Sequence, residues 1–282
     1  MASQKQIKKR VGSIKNIGKI TSALEMVAAS RVQRAQDIAL RAKPYADKVY
    51  ELVTAVASQK VQVNLPLMRK PLEINKDLYI IISTNKGLAG SLNTNLFGAL
   101  QRQLDANISH KFVTVGIKGR NFALRHGELL ADFSDTEPFS ANIPAVIEIT
   151  RKAFESNEAD KVYLVYSGFK TVMTQESVIK ELLPIAKTTE PQELTGASYT
   201  FEPSIEEVLE NLMVFYLENQ VRDAIHEAEA SEHAARMIAM KNASDNAKEL
   251  ASALVLEYNK ARQSAVTAEI ADVVTSTESL SK

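Results

Sequence analysis

Apolar residues recur at intervals of three and four near the start of the chain: Ile7, Val11, Ile14, Ile17, Leu24, then Val27 or Ala28. That spacing lays one stripe down a helical face and predicts a helix from about residue 3 to residue 58. Gly12 and Gly18 each weaken it slightly. Pro44 is expected to kink it, because its ring crowds the preceding turn and it offers no N–H. Pro66 and Pro71 then bracket an expected extended linker. The far end repeats the theme at greater length. Ser204 is a good N-cap after Pro203, with Glu207 at the capping-box position. Ile205, Val208, Leu209, Leu212, Phe215 and Tyr216 form a broad apolar face. Beyond it Ala224, Ala228, Ala235, Ala239, Ala243 and Ala247 replace the large residues. Leu250, Leu254, Tyr258, Ala261, Ala265, Ile270 and Val273 continue the stripe.

From Ser204 to Lys282 there is neither glycine nor proline, and eight of the ten glycines lie between Gly87 and Gly196. The ends therefore read as long helices and the middle as a turn-rich domain. A helix of about 75 residues is on the order of 110 Å long. It cannot bury its stripe against a domain of ~120 residues, whose radius of gyration is roughly 14 Å. Another long helix must cover it, and the N-terminal one is available. The prediction is an antiparallel coiled coil, closest where alanines allow two backbones to approach, with part of the longer helix unpaired.

The middle reads as α/β. Leu78–Ser83, Lys111–Gly116 and Lys161–Ser167 are apolar runs suited to buried strands, and Val172–Ile179 alternates like an edge strand. Ser91–Ala106, Arg120–Arg125 and Ile143–Ser156 are helical in pattern. Strand–helix–strand order implies right-handed parallel crossovers and a small Rossmann-like open sheet covered on both faces. The expected fold class is α/β plus a long antiparallel α-helical coiled coil, the sheet inserted between the terminal helices. The expected domains are residues 1–60 and 205–282 for the coiled-coil helices, 77–190 for the α/β domain, and 61–76 and 191–204 for linkers.

Charge changes this picture locally. The 282 residues carry 34 basic and 34 acidic side chains, so net charge argues for no partner. Residues 1–43, however, hold ten basic side chains against Glu25 and Asp37, a local +8 that leaves −8 for the rest. Such an arm seeks acidic protein, phosphate or anionic lipid, or is simply a solvated helix face. The absence of cysteine removes disulfides, thiolate metal sites and thiol nucleophiles. No run of about 18 apolar residues is present, so membrane association is expected only through a partner. The basic first residues lack a following apolar stretch, so no cleavable signal is expected.

Candidate chemistry is sparse. The loop Ser83-Thr84-Asn85-Lys86-Gly87-Leu88-Ala89-Gly90-Ser91-Leu92-Asn93 joins a strand to a helix and could cradle phosphate. It matches neither GxGxxG nor GxxxxGK[ST], and a tight turn with close strand–helix packing is the better account. His226, Glu229 and His233 share a helix face and could hold a metal, but the segment HEAEASEH reads better as a solvated face. His110 and His126 stand alone near turns. No nucleophile has a recognisable base beside it. No catalytic residue, cofactor site or metal site is expected.

Three separated motifs carry a resemblance. Ile7–Arg31, with Ile20-Thr21 and Met26-Val27-Ala28-Ala29, the loop STNKGLAGSLN, and the segments Ser231–Ala247 and Tyr258–Ile270 resemble, in order, the γ subunit of F-type ATP synthases of the bacterial type. Asn85 and Lys86 stand where the family has an acidic residue and arginine, and Leu24 where it has methionine. The resemblance implies a central-stalk rotor without a catalytic site of its own. One copy would stand in a hexamer of α and β subunits, bound below to the ε subunit and the c-ring of Fo. It would couple ion flow to ATP synthesis or hydrolysis on β. It further implies a peripheral place on the cytoplasmic face of a bacterial membrane, no nucleic acid partner, and no cofactor. Leu24, Arg236, Arg262, Gln263, Thr267 and Glu269 match family positions that contact β, and Lys86, Gly87 and Leu88 are assigned to the ε and c-ring side. Two further readings stay open from the residues alone: a basic coiled-coil module gripping nucleic acid or an anionic surface, and a small α/β enzyme with helical extensions. A γ-like rotor of a specialised F1-type ATPase is a variant of the rotor that the resemblance implies.

Overall fold

The computed structural model describes the backbone of residues 4–57, 66–69, 71, 74–185, 202 and 204–280, and side chains for these apart from 39–57, 205–206 and 277–280. Helix α1 runs Gln4–Ala57 and helix α5 runs Ile205–Leu280. Between them come β1 (Lys76–Ile82), α2 (Leu92–Gln103), β2 (Ser109–Val115), α3 (Ile117–His126), β3 (Glu128–Asp132), α4 (Ile143–Glu155), β4 (Lys161–Phe169) and β5 (Gln175–Leu183). The backbone of α1 is helical through Pro44, whose side chain lies outside the described set. The expected linker at 191–204 falls largely outside it, and in the described part of 61–76 Pro66–Met68 form a 3-10 turn with Leu67 buried rather than extended chain. The chain divides into two compact units, residues 1–28 with 236–282, and residues 29–235.

The first unit is a pair of antiparallel helices. Gln4 donates from Nε2 to the Tyr258 hydroxyl at 3.4 Å, and Ser244 Oγ donates to the Gly18 carbonyl at 3.5 Å. As numbering rises along α1 it falls along α5 by equal steps. On α1 the covered positions are Ile7, Val11, Ile14, Gly18, Thr21, Glu25 and Ala28. On α5 they are Met240, Ser244, Ala247, Ala251, Leu254, Tyr258, Ala261 and Ala265. Both series alternate steps of four and three, the heptad signature of a left-handed coiled coil. This corrects the expected seam at several positions. Ile17 is 48% exposed while Gly18 takes the inward place, and of the two alternatives Val27 and Ala28 it is Ala28 that is buried. Ala239 and Ala243 are only half-buried, and Met240 and Ser244 are buried instead. A strict step of four drifts around the helix, whereas the paired seam needs the alternating step.

The second unit contains a five-stranded sheet in the order β3-β2-β1-β4-β5. The first four strands are parallel, and β5 returns antiparallel along β4. From β1 the chain steps outward through β2 to β3, then recrosses by α4 to enter β4 on the other side of β1. Right-handed crossovers therefore put α2 and α3 on one face and α4 on the other. The two cores agree. Tyr79, Ile81, Phe112 and Val165 pack against Leu96, Leu100 and Phe122. On the opposite face Leu78, Ile80, Ile82, Val113 and Leu164 pack against α4 residues Val146, Ile147 and Phe154. That second face is completed by Leu209, Met213, Leu217, Val221 and Ile225 of α5, so the long helix is built into the sheet's core.

Three local expectations change. Strand β3 (ELLAD) was not anticipated; five residues at the edge, half-buried rather than alternating, carry little period. Helix α2 stops at Gln103, because Asp105 turns the chain by accepting the Asn107 N–H at 2.9 Å. The edge strand begins at Gln175 rather than residue 172, since Thr171 and Thr174 exchange backbone hydrogen bonds in a hairpin turn. Ser204 does cap α5, its Oγ accepting the Glu207 N–H at 3.2 Å.

Candidate functional site

Small residues set the geometry of the coiled coil. A Cβ placed on Gly18 would lie 3.4 Å from the Ala247 Cβ, so the two backbones approach closely there. Beside this point the surface falls into an apolar groove of about 890 Å³, floored by Ile14, Gly18, Ala23, Ala247 and Ala251 and walled by Met26 and Leu256. Met26 and Leu256 are each 66% exposed. Lys15, Lys19 and Lys248 stand on its rim. Further along α5, Val266, Ile270, Val273 and Val274 are also exposed. Contiguous apolar surface edged by cations is what a helical partner with acidic flanks would cover.

In the second unit the strand-to-helix loop is braced from within. Ser83 Oγ donates to the Gly116 carbonyl at 3.1 Å and accepts the Gly119 N–H at 2.7 Å. Asn85 Oδ1 accepts the Ile117 N–H at 2.9 Å, while its Nδ2 donates to the Ser134 carbonyl at 2.9 Å. The Lys118 N–H reaches the Thr84 carbonyl at 3.3 Å. The first donors of α3 are thus occupied by the protein's own oxygens, which ties the β1–α2 loop to the start of α3. Gly116 has φ 107°, and a Cβ there would lie 2.2 Å from the Ser83 carbonyl oxygen, so that corner requires glycine. The loop tip points outward: Lys86, Gly87 and Leu88 are exposed, and Leu88 holds φ 64° with 63% exposure.

The switch point of the sheet lies between β1 and β4, where open α/β sheets commonly bind ligands beyond the strands' carboxyl ends. Here α5 fills it. Ala228, Glu229 and Glu232 close over Ser83, Thr84, Asn93 and Ser167, leaving a cavity of about 10 Å³. The segment expected to be a solvated face is therefore partly buried, because it crosses this edge. Among the described residues no group of three His, Cys, Asp or Glu side chains is arranged to hold a metal ion. Burial pushes the Glu229 carboxyl up, with Glu232 and Glu137 adding to the effect. Burial lowers His226, and Asp223 opposes it. Glu227 lies against β4 beside Tyr166, Gly168 and Phe169, and the Phe169 N–H and Tyr166 hydroxyl favour its ionised form. Burial nonetheless raises its pKa above the usual carboxylate range, and Asp223 adds to the rise.

The family model described as ATP synthase matches residues 3–280. The ATP synthase gamma chain of Polynucleobacter asymbioticus is 39% identical, the alignment covering 97% of this chain and 98% of that one. The gamma chain of Cupriavidus pinatubonensis is 37% identical with the same coverage. The chain belongs to the ATP synthase gamma-chain family. Its role is that of the central-stalk subunit, a non-catalytic part of a rotary ATP synthase. Among solved structures, the central stalk and c-ring assembly of the Tetrahymena thermophila mitochondrial enzyme contains a chain with TM-score 0.58 and 26% identity, covering 80% of this chain and 99% of that one. A rotor chain of the Euglena gracilis mitochondrial enzyme reaches TM-score 0.67 at 19% identity, covering 93% of this chain and 98% of that one, and shares its fold.

Within this gamma chain the residues matched to β contacts all lie in the coiled-coil unit. Leu24 and Arg236 are half-buried, while Arg262, Gln263, Thr267 and Glu269 are exposed. Arg262 and Glu269 are seven apart and stand above each other on one side of α5. Gln263 and Thr267 are four apart and share another side. Thr267 donates from Oγ1 to the Gln263 carbonyl at 2.9 Å, so its hydroxyl proton is used within the helix and its lone pairs face outward. Lys86, Gly87 and Leu88 sit in the other unit, at the loop tip. Sequence reasoning missed the groove, the inward place of Gly18 and the position of Glu227 against β4. The first two depended on how the two helices face each other. The third depended on strand β4 lying under α5, which no local pattern announces.

Among the described residues no helix is long and apolar enough to cross a membrane.

Proposed function

We propose that this gamma-type subunit is the torque-bearing rotor of an F1Fo ATP synthase. One copy stands in an α3β3 hexamer and joins it to the ε subunit and the c-ring of Fo, on the cytoplasmic face of a bacterial membrane. The observation that carries the reading is the coiled-coil unit: two helices closely zipped at Gly18 and Ala247, with an apolar groove and a cationic rim on one side. A paired coil is stiffer than either helix, and a surface that differs around its axis can favour one state of one β subunit at a time. A shaft biases its neighbours only through contacts that differ between their states. Leu24, Arg236 and the lysine rim would face acidic segments of β, and Arg262, Gln263, Thr267 and Glu269 a second β loop farther along α5. Arg262 is the strongest of these candidates, because a guanidinium binds carboxylate bidentately. Lys86, Gly87 and Leu88 would serve the ε and c-ring side, their loop held firm by Ser83 and Asn85. The catalytic groups belong to β, and this chain supplies no cofactor or metal ligand.

Reconstitution tests the reading. Mixing the chain with α and β subunits should give a hexamer carrying a single copy by native mass spectrometry. Three copies per hexamer, or no complex, would sink it.

A further inference from the structure

Beneath the sheet, at the opposite end from the braced loop, two buried polar atoms face each other's strand without partners. Asp77 on β1 pairs in register with His110 on β2, so both side chains leave the same face of the sheet. Asp77 is 5% exposed; its Oδ2 accepts the Tyr79 hydroxyl at 3.3 Å, and its Oδ1 is buried and unbonded. His110 has Nε2 2.9 Å from the Asp105 carbonyl oxygen, and its Nδ1 is buried and unbonded. A carbonyl only accepts, so Nε2 carries the proton of the neutral ring and Nδ1 presents a lone pair. Two acceptors on paired positions of adjacent strands are thus left buried without a donor, which is unfavourable for both. One proton on Nδ1 turns it into a donor and satisfies the pair.

We propose that Asp77 and His110 form a proton-operated clasp between β1 and β2, open when the imidazole is neutral and closed by an Nδ1–H donated to Oδ1 of Asp77. The surroundings favour closure by this route. On β1, the Tyr79 ring lies edge-on to His110 with centroids 5.7 Å apart, and its hydroxyl is committed to Asp77. On β4, Tyr163 stacks on Tyr79 at 5.1 Å and adds no charge. Lys161 pairs in register with Asp77, but its ammonium is held by Glu181 of β5 at 2.8 Å. Asp160, just before β4, adds negative potential and gives Oδ2 to the Asn75 and Lys76 N–H groups at 3.0 Å. The Asp105 side chain is committed to Asn107. The charge that arrives with the proton therefore meets a carboxylate whose nearest cation is already engaged. Burial raises Asp77 above the usual carboxylate range, opposed by the Tyr79 hydrogen bond and by His110. A proton taken up at Nδ1 would thus stiffen this end of the α/β unit.

Hydrogen–deuterium exchange on the full chain tests this, with rates at pH 8 and pH 6 corrected for intrinsic exchange. In the wild type, protection of the 108–113 backbone should rise roughly fivefold at the lower pH, the worth of one net hydrogen bond. His110→Gln, at a half-buried position, should fold and lose that rise, and Asp77→Asn should lose it as well. His126→Gln should keep it. Nitrogen NMR of the wild type at pH 6 should show a proton on His110 Nδ1, hydrogen-bonded to a carboxylate. A pH-dependent rise that survives in His110→Gln would overturn the clasp, as would its loss in His126→Gln. Should Asp77→Asn fail to fold, the histidine variants and the NMR signal decide alone.

Discussion

The Ser244 hydroxyl donates to the backbone carbonyl of Gly18 at 3.5 Å, across the tightest part of the coiled coil. Gly18→Ala brings a Cβ to 3.4 Å from Ala247, about the limit of ordinary contact, and removes the flexibility cost of a mid-helix glycine. The expected result is a gain of about 0.5 kcal/mol. Gly18→Leu should instead pry the helices apart and cost roughly 1–3 kcal/mol. Urea midpoints of the two variants read both signs.

Glu227 of α5 lies against Tyr166 and Phe169 of β4, and its pKa is raised, with burial the largest cause. A carboxyl raised in the folded state favours folding while protonated, and that advantage is lost as pH climbs through its folded value. The protein should therefore lose stability between mildly acidic and neutral pH by way of this residue. Glu227→Gln stays neutral at nearly the same size and should flatten that part of the profile. Thermal midpoints across pH 4.5–8 for both proteins make the comparison, and parallel curves would count against the assignment.

Much of this architecture could be read before any coordinates. Glycine and proline spacing marks two long helices around a turn-rich middle, and the apolar runs at residues 78–83, 111–116 and 161–167 overlap strands β1, β2 and β4, the first two running one residue past the strand end. What escaped depended on partners. Ile17 fits a stripe of threes and fours as well as Gly18 does, and only the facing helix decides between them. HEAEASEH looks solvated until the sheet edge beneath α5 is known. Strand β3 exists because β2 offers an edge, since its own five residues hold no strong period. The contact residues of the candidate site came from family likeness alone; their exposure on α5 agrees with a surface role without naming what covers it.

Asn85 makes a compact test of the braced loop. Asn85→Ala removes the acceptor for the Ile117 N–H and the donor to Ser134, leaving an unpaired group at the start of α3. A loss of about 1–3 kcal/mol is expected. Asn85→Asp keeps the acceptor but turns a charge toward the Ser134 carbonyl and Glu137, to which Asn85 Nδ2 now donates at 3.3 Å. It should be no milder than alanine unless Lys86→Arg accompanies it. Chemical denaturation of the three variants ranks them.

Arg262 is exposed on α5, so its replacement should leave folding intact. Arg262→Glu in a reconstituted complex is expected to lower coupled ATPase turnover, with a circular dichroism spectrum and thermal midpoint like the wild type. Unchanged turnover would remove Arg262 from the bearing contacts.

The alternating steps of four and three run through both helices of the coil without a fault, from Ile7 to Ala28 and from Met240 to Ala265. Adding one residue to either helix would swing everything beyond it by about 100° and turn charged positions into the seam. Adding seven restores the same face. A coil of this kind can change length only in whole heptads, or by matched three- and four-residue steps. Its sequence can drift freely at the surface while its length stays quantised.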